Sequence, residues 1–226
     1  MHPSAMANGQ SFFDAYSAAF KPDARVVEIG SQDVNGSLRQ CCPKTFQYVG
    51  LDFEKAKGVD IVLQDPYALP IESESADIVV SNSCFEHSEM FWLVFLEILR
   101  ILKPGGLFYL NAPSTGNFHR YPVDCWRFFP DSGKALVTWG KRSGFNVEML
   151  ESYTQTGGLW QDFVSVFLKD AAHAHLHTKR ILDVKTDFEN GQKLGSSVVL
   201  KRNDVSQNEK KLAVISKIAS GTLQIN

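Results

Sequence analysis

The chain has 226 residues, of which 44% are hydrophobic and 12% aromatic, enough for one α/β domain with an apolar core. A net charge of −2 and only short basic runs argue against a nucleic-acid enzyme, which usually carries a basic patch. Four cysteines without metal-ligand spacing argue against a disulfide scaffold and predict reduced thiols in the cytoplasm.

The N-terminal twenty residues divide into two parts. Residues 1–10 have no clear pattern and no features of a signal peptide, so an irregular start is expected. Residues 11–20 carry aromatic side chains at helical spacing, including Phe12 and Tyr16, which predicts an amphipathic helix. Packing on a sheet is the favoured interpretation of this helix, and a lid over a binding site is the alternative.

The next segment predicts a strand followed by a tight turn. Val26–Ile29 fits a buried parallel strand, and Gly30 opens a cluster rich in glycine, serine, asparagine and aspartate. Backbone amides at such a turn favour anionic ligands. Glu28 would repel a phosphate there, but it suits a cationic or hydrogen-donating group. The turn therefore favours an aminoacyl nucleoside over a dinucleotide.

Further apolar runs predict strands at Tyr48–Asp52, Asp60–Asp65, Asp77–Asn82 and Leu107–Asn111. Apolar residues at helical spacing from Glu89 to Lys103 predict a helix that ends at Pro104-Gly105-Gly106. Asp52 lies roughly 20 residues beyond the glycine turn, where an acid accepts hydrogen bonds from a ribose. Its alternative role is that of a helix cap or a surface turn acid.

The C-terminal half predicts fewer elements. A helix is expected at residues 134–140, and strands at 146–153 and 160–168 would form a closing antiparallel pair. Residues 170–226 are more polar, with a possible helix at 209–218. We expect a single domain over 1–226. It comprises a cofactor half (24–112), a substrate loop with closing strands (113–170) and a C-terminal extension (171–226).

Several motifs carry a resemblance to a known family over residues 24–115. They are Val26-Val27-Glu28-Ile29-Gly30, Gly50-Leu51-Asp52, Leu63-Gln64-Asp65, the block from Asp77 to Phe85-Glu86-His87, and Glu97 to Gly106. In order and spacing the chain resembles a class I S-adenosylmethionine-dependent methyltransferase of the small-molecule type. The resemblance implies a doubly wound, mostly parallel seven-stranded sheet with a C-terminal antiparallel strand. It also implies S-adenosyl-L-methionine as cofactor.

One departure concerns the first turn, where the family usually has glycine two and four places after the first. Gln32 and Val34 stand there, so the backbone has less room for close approach. We expect the loop to take another path, with a very short first helix before Pro43.

The candidate cofactor contacts lie at the ends of successive strands. Glu28 is expected to contact the ammonium group of the methionine part, Asp52 the ribose, and Asp65 the adenine amino group. The full set is Glu28, Gly30, Ser31, Gln32, Asp52, Phe53, Gln64, Asp65, Pro66, Ser81 and Asn82. Alternative roles are a core position for Phe53 and a turn-initiating Asp-Pro pair for Asp65.

The segment Asn117–Pro130 follows the fifth strand and mixes histidine, aspartate, arginine and aromatic residues, a composition typical of functional loops. His119 is the candidate general base, with Asp124 as its orienting partner or as the base itself. His87 is a further catalytic candidate because histidine titrates near neutrality, although a structural or pocket-lining role is favoured for it.

Four other side chains of this segment are candidates for binding the acceptor. Arg120 and Arg127 match carboxylate or phosphate groups, and Tyr121 and Trp126 could form a flat wall for a ring or a sugar. In the alternative interpretation the segment is a structural clamp. Arg127 then pairs with Asp124, and Trp126 fills the core.

The alternating His173, His175 and His177 would share one face of a strand, as a zinc site needs. No strand signal surrounds them, so surface histidines are expected and no metal is predicted.

The favoured function is methyl transfer from S-adenosylmethionine to a small polar acceptor, most readily at oxygen. Ser81-Asn82-Ser83-Cys84 replaces the Asn/Asp-Pro-Pro-aromatic motif of base-amino methylation, which disfavours nucleic acid. An NAD-dependent oxidoreductase is one alternative, although Gln32 breaks its G-x-G-x-x-G fingerprint. A non-catalytic S-adenosylmethionine-binding module is another. The longest apolar stretch is too short to span a bilayer, so no membrane partner is expected, and the oligomeric state stays open.

Overall fold

The computed structural model describes residues 2–157 and 161–223. Its strands are β1 (Arg25–Ile29), β2 (Gln47–Asp52), β3 (Ile61–Val62), β4 (Ala76–Asn82), β5 (Leu102–Pro113), β6 (Val147–Gln155), β7 (Asp162–Lys169) and β8 (Phe188–Lys193). Its α-helices are α1 (Pro3–Tyr16), α2 (Phe91–Ile101), α3 (Pro130–Arg142) and α4 (Gln207–Ala219).

All eight strands form one mixed sheet in the order β3-β2-β1-β4-β5-β7-β6-β8. The first five strands in this order are parallel, and the remaining neighbours pair antiparallel. The carboxyl ends of β1, β2, β4 and β5 therefore meet at one edge of the sheet, where ligands of open α/β sheets bind. We call this the carboxyl edge.

The expected mostly parallel sheet with a C-terminal antiparallel strand is confirmed, but it has eight strands and not seven. The additional strand β8 lies in the C-terminal extension and pairs with β6 from Glu151↔Lys193 to Gln155↔Phe188. Its sequence, Phe-Glu-Asn-Gly-Gln-Lys, has no β-branched residue and therefore gives little intrinsic strand signal. The pairing with β6 creates this strand.

Helices cover both faces of the sheet, as expected for a doubly wound fold. On one face Phe95 and Leu99 of α2 pack with Val27 and Val79 of the central strands. On the other, the α1 residue Phe12 packs in a second cluster of buried side chains. Each residue of these two clusters removes apolar surface from water, which is the main favourable contribution to folding.

The N-terminal helix begins earlier than the sequence predicts. The expected irregular start at 1–10 is wrong for residues 3–10, because α1 begins at Pro3. Asn8 is completely buried, where its amide donates to Asn111 at 3.0 Å and accepts from the Tyr153 hydroxyl at 3.2 Å. This buried polar network holds the first turns of α1 on the sheet. The expected packing of Phe12 on the sheet is confirmed.

The junction of α2 and β5 also differs from prediction. The helix ends at Ile101 and β5 begins directly at Leu102, so Pro104-Gly105-Gly106 does not form the predicted helix cap. It lies inside the strand, where the register with β4 shifts between Ala76 and Ile78. Gly105 has a φ of +82°, and the strand bulges at this point.

The remaining predicted elements agree in type with the structure. The helix at 134–140 is longer (α3), the strands at 146–153 and 160–168 correspond to β6 and β7, and the helix at 209–218 is α4. Trp160, the predicted first residue of the last strand, lies outside the described residues. All four cysteines are free thiols. Within the described ranges, no helix combines the length and apolarity needed to cross a bilayer.

Candidate active site

The glycine turn after β1 is held tightly at the carboxyl edge. The backbone amides of Gly30 and Ser31 both donate to the carbonyl of Leu51 in β2, at 2.9 and 3.1 Å. Gly30 has a φ of +81°, and a Cβ at this position would lie 2.5 Å from the Cβ of Cys84. Both the backbone conformation and the space therefore require glycine here.

The stretch in which the family's glycines are missing is held by contacts with the loop that follows β2. The amide of Asp33 donates to the carbonyl of Lys57 at 2.8 Å, and the two side chains form an ion pair at 2.6 Å. A Cβ at Gly58 would lie 2.6 Å from the carbonyl of Ser31. The loop after β2 thus packs on the turn. Between β1 and Pro43 the chain forms a single 3₁₀ turn, at Leu38–Gln40.

Glu28 lies at the end of β1 with only 1% of its surface exposed. Among the described residues, its Oε2 atom and the hydroxyl of Tyr48 have no other hydrogen-bond partner, and the two side chains interact with each other, which opposes the effect of burial on the pKa of Glu28. Burial raises the pKa of Glu28 to about 7 and, with Glu28 nearby, raises the pKa of Tyr48 well above its usual value. A buried carboxyl with an unused oxygen is costly unless a donor reaches it.

Asp52 ends β2 and is 7% exposed. Its carboxylate accepts the backbone amides of Gln32 at 3.2 Å and Glu54 at 3.3 Å. Burial raises the pKa of this carboxyl despite these hydrogen bonds. A carboxylate offers about four acceptor positions, so Asp52 can hold both loops and still accept ribose hydroxyls.

Four further cofactor candidates have side chains that are exposed to solvent. Gln64, Asp65 and Pro66 are exposed beyond β3, and Asp65 accepts the amide of Tyr67 at 2.8 Å, which makes it a turn residue as well. Phe53 is 45% exposed, so the alternative that it is a core residue is wrong.

At the end of β4, the Ser81 hydroxyl donates to the carbonyl of Ile29 at 3.0 Å and thereby ties β4 to β1. Asn82 is 4% exposed, and its side-chain oxygen has no partner in the structure. Of these two candidates, Asn82 is the one with an unused polar atom for a ligand.

The segment 117–130 is anchored to the turn that follows β4. Its Cys125 and Trp126 amides donate to the carbonyl of Glu86 at 2.7 and 3.3 Å. The indole of Trp126 donates to the carbonyl of Ser88 at 2.9 Å. At the other end, the Tyr121 hydroxyl donates to the side-chain oxygen of Gln32. The candidate acceptor segment and the candidate cofactor turn are therefore in direct contact.

The structural-clamp interpretation is correct for Asp124 and Arg127. Asp124 accepts two hydrogen bonds from the Arg127 guanidinium at 2.6 and 2.8 Å and the backbone amide of His119 at 2.7 Å. The hydrogen bonds from Arg127 hold the pKa of Asp124 far below its usual value. Trp126, by contrast, is 36% exposed and does not fill the core.

Arg120 and Tyr121 lie on the exposed side of the segment. The Nε of Arg120 donates to the carbonyl of Pro122 within its own loop, at 3.1 Å. In the part of the chain that the structure describes, no carboxylate forms an ion pair with Arg120, whereas Asp124 pairs with Arg127. Of the two arginines, Arg120 is better placed to meet an acidic group of a ligand.

His87 and His119 lie together under this segment, with ring centroids 4.9 Å apart in an edge-to-face arrangement. The Nδ1 of His87 contacts the carbonyl of Val123 at 2.5 Å, and burial lowers the pKa of His87. The Nδ1 of His119 lies 3.1 Å from the carbonyl of Asn117 and 3.4 Å from Asp124. The structure thus brings the candidate base, its partner and His87 into one cluster.

Comparison with known families matches residues 17–110 to the methyltransferase domain. Residues 17–110 of the chain thus carry a methyltransferase domain, and the curated relatives that match this part of the chain are named methyltransferases. S-adenosyl-L-methionine is the cofactor of this family, as the resemblance implied. The match covers the glycine turn and β2 and leaves no support for the nicotinamide alternative.

Curated relatives match the methyltransferase domain over limited lengths. The malonyl-[acyl-carrier protein] O-methyltransferase of Methylococcus capsulatus is 30% identical over 99 residues, which cover 38% of this chain and 36% of the relative. An uncharacterized methyltransferase of Mycolicibacterium gilvum is 31% identical over 96 residues, or 42% and 34% of the two chains. The chain thus spans about a third of the length of these relatives.

Among solved structures, the 1,6-didemethyltoxoflavin-N1-methyltransferase of Burkholderia thailandensis, crystallised with S-adenosylhomocysteine, has a TM-score of 0.57 at 14% identity. The alignment covers 74% of this chain and 78% of that protein. At this identity the similarity shows the fold alone, and a fold does not determine a reaction.

Sequence reasoning missed one member of the cluster in the methyltransferase domain. Glu86 is 1% exposed, and its Oε1 lies 3.7 Å from Nε2 of His87. Burial raises the pKa of Glu86 to about 8. The sequence could have indicated the burial of Glu86, because it lies between the core residue Phe85 and the candidate His87.

The alternating histidines lie elsewhere. His173 and His175 belong to a 3₁₀ turn at Ala171–Leu176, not to a strand. His177 is 3% exposed, and its Nε2 lies 3.2 Å from the carbonyl of Gly105. Within residues 2–157 and 161–223, these histidines form no group with metal-binding geometry.

Proposed function

We propose that the protein transfers the methyl group of S-adenosylmethionine to an oxygen of a small polar acceptor. The observation that carries this proposal is the hydrogen bond from Tyr121 to Gln32, because it joins the acceptor segment to the cofactor turn. Methyl transfer is an in-line displacement, so the protein must hold donor and acceptor within near-attack distance. A loop in contact with the cofactor turn is suited to this task.

In this proposal the acidic side chains of the carboxyl edge hold the cofactor. Glu28 receives the ammonium group of the methionine part, directly or through water. Asp52 accepts the ribose hydroxyls, and Asp65 accepts the adenine amino group beside the exposed ring of Phe53. The side-chain oxygen of Asn82, which has no partner in the structure, supports ligand binding at this edge, since buried acceptors ordinarily have partners.

His119 is the proposed general base. Its Nδ1 faces the carbonyl of Asn117 and the carboxylate of Asp124, both of which only accept, so Nδ1 carries the hydrogen and Nε2 the lone pair. The acceptor oxygen attacks the methyl carbon as the carbon–sulfur bond breaks, and S-adenosylhomocysteine leaves. The hydroxyl proton passes to Nε2 of His119. Asp124, itself held by Arg127, orients the ring.

The acceptor is proposed to be small and polar. An open cavity of about 770 Å³ borders the segment at Asn117 and is lined largely by polar side chains, a volume that suits a small molecule. His119, Arg120 and Tyr121 do not line this cavity. On the exposed side of the segment, Arg120 and Tyr121 would bind an acidic group and a flat face of the acceptor. The net charge of −2 makes a nucleic acid a poor partner, and we place the enzyme in the cytoplasm.

The proposal is tested in two steps. Calorimetry with S-adenosylhomocysteine should give one-to-one binding, and methyl-labelled S-adenosylmethionine should label one class of hydroxyl compound in an acceptor panel. His119→Ala should lower turnover by roughly 10²–10⁴-fold with the affinity for S-adenosylhomocysteine retained. His175→Ala, which changes an exposed histidine of the 171–176 turn, is the matched control.

Three outcomes would contradict the proposal. Thermal stabilisation by NADH with none by S-adenosylhomocysteine would favour an oxidoreductase. Binding of S-adenosylhomocysteine without labelling of any acceptor would favour a non-catalytic module. Full activity of His119→Ala would remove His119 as the base.

A further inference from the structure

Glu86, His87 and His119 each offer one ligand-capable atom, and these atoms all lie within 4.8 Å of one another. In the described parts of the chain, no other group of three histidine, cysteine, aspartate or glutamate side chains has this geometry. We propose that these three residues bind a divalent transition-metal ion such as Zn²⁺. Two imidazoles and one carboxylate form the ligand set of many catalytic zinc sites.

The hydrogen bonds of the two histidines favour metal binding. A carbonyl oxygen only accepts, so the contact of His87 with Val123 places the hydrogen on Nδ1 and the lone pair on Nε2. His119 has the same arrangement, with Nδ1 facing the carbonyl of Asn117. Metal-binding histidines typically donate their second ring nitrogen to a carbonyl or carboxylate, which fixes the ring.

The burial of Glu86 supports the metal site independently of the distances between the ligand atoms. Its side chain is 1% exposed, and its Oε2 has no hydrogen-bond partner in the structure. Its Oε1 faces Nε2 of His87 at 3.7 Å, so a carboxylate oxygen and a nitrogen lone pair point toward each other. This arrangement is stable with a proton on one of the two atoms, and equally with a cation between them in place of that proton. A metal ion satisfies both, together with His119.

The spacing fits a transition metal after a small adjustment. Ligand atoms around a tetrahedral Zn²⁺ lie roughly 3.3 Å apart, given bond lengths near 2.0–2.1 Å. The ligand atoms now lie up to 4.8 Å apart, and the side chain of His119 is 38% exposed on a surface loop, so a shift of about 1.5 Å there closes the site. Imidazole ligands favour Zn²⁺ and related ions over Mg²⁺ and Ca²⁺, which prefer oxygen.

Three protein ligands leave one position of the ion open for water or substrate. The site adjoins Tyr121 of the acceptor segment, whose ring lies 6.4 Å from that of His87. A hydroxyl bound there would lose its proton to solvent more readily, because a bound cation stabilises the oxyanion. In the metal-loaded protein His119 would be a ligand, and the hydroxyl proton would be lost to solvent and not to His119. This loss of the proton rests on the proposed function, whereas metal binding does not.

The test measures metal binding without S-adenosylmethionine, so that its result is independent of methyl transfer. Metal-free wild-type protein is titrated with Zn²⁺ by calorimetry and with Co²⁺ by visible absorption. We expect one ion per chain and the absorption bands of a four- or five-coordinate Co²⁺ site. Glu86→Gln and His119→Asn should each weaken binding by roughly tenfold or more. His175→Asn, which removes a histidine outside the cluster, should leave it unchanged.

The proposal is overturned if wild-type protein binds neither ion. It is also overturned if binding survives both cluster substitutions, or if His175→Asn abolishes it. Because Glu86 is buried, circular dichroism must show that Glu86→Gln is folded. His119→Asn changes a half-exposed side chain and provides the second, independent reading. Metal binding without any methyl transfer would refute the proposed function and leave the metal site intact.

Discussion

The hydroxyl of Tyr121 donates a hydrogen bond to the side chain of Gln32, a residue that stands where related methyltransferases usually have glycine. The departure from the family pattern thus supplies a contact that a glycine could not make. If this contact positions the acceptor segment, Tyr121→Phe and Gln32→Ala should each weaken S-adenosylhomocysteine binding or turnover modestly. The double variant should be no worse than the poorer single one, with a coupling of about 0.5–1.5 kcal/mol. Strictly additive effects would show that the two side chains act separately.

Asp52→Asn should weaken the binding of S-adenosylhomocysteine by about 1.5–3 kcal/mol, because it removes charge-assisted hydrogen bonds to the ribose. Asparagine preserves one oxygen for the amides of Gln32 or Glu54, so it disturbs the loops less than alanine would. Calorimetry provides the measurement. Asp23→Asn, an exposed change before β1, is the control, and equal affinities for the two variants would remove Asp52 from the site.

The two arginines of the acceptor segment should respond differently to alanine. Arg127→Ala leaves the buried Asp124 carboxylate without its two guanidinium hydrogen bonds, so we expect a loss of about 1–3 kcal/mol in the free energy of unfolding. Arg120→Ala removes an exposed side chain and should leave stability unchanged while raising KM for an acidic acceptor. Urea unfolding separates the two cases. Equal stabilities would show that the Asp124–Arg127 pair contributes little.

The raised pKa of Glu28 predicts a stability that depends on pH. The folded-state pKa of about 7 exceeds the ordinary value of 4.5, so the folded protein binds this proton more tightly than the unfolded chain does. The resulting stabilisation is complete below about pH 4.5 and is lost as the pH rises through 7. Glu28→Gln does not ionise, so above pH 7 it should unfold with a free energy higher than wild type, by on the order of 3 kcal/mol. A difference between the two that is independent of pH would contradict this assignment.

The same carboxyl should link cofactor binding to protons. A cationic ligand group stabilises the ionised form of Glu28, so S-adenosylhomocysteine should displace a proton from the wild-type protein near pH 6. Calorimetry in two buffers of different ionisation enthalpy measures this release. Glu28→Gln should bind more weakly, and its proton release should be smaller by the share that Glu28 contributes. Identical proton release in both proteins would place the ammonium group elsewhere.

Much of the fold was accessible from the sequence because hydrophobic periodicity and burial coincide in the first half of the chain. The apolar runs Val26–Ile29 and Asp77–Asn82 form the neighbouring central strands β1 and β4. The apolar side chains of α2 pack on the sheet, as their helical spacing predicts. Two elements form because of tertiary contacts, so the local sequence did not predict them. The first turns of α1 are polar but are held by the buried Asn8, and β8 is a strand because it pairs with β6.

The site shows the same division. The order of strands and acids placed Glu28, Asp52 and Asp65 at one edge of the sheet, since parallel strands end together. The convergence of Glu86 with His119 could not be predicted, because 32 intervening residues separate them in the chain and only the folded segment brings them together. The pairing of Asp124 with Arg127 was foreseen as an alternative, because only two residues lie between them in the chain and opposite charges attract.

The eighth strand changes what the sheet offers to a second molecule. Unpaired backbone groups at the rim of a sheet invite another chain to add a strand. At one rim β3 has only two residues. At the other, Gly191 of β8 and Leu200 form an isolated β-bridge in which each backbone amide donates to the other residue's carbonyl. The amide of Asn190 also donates to the carbonyl of Lys201. Both rims are thus blunted, and association through continuous sheet extension is disfavoured for this molecule.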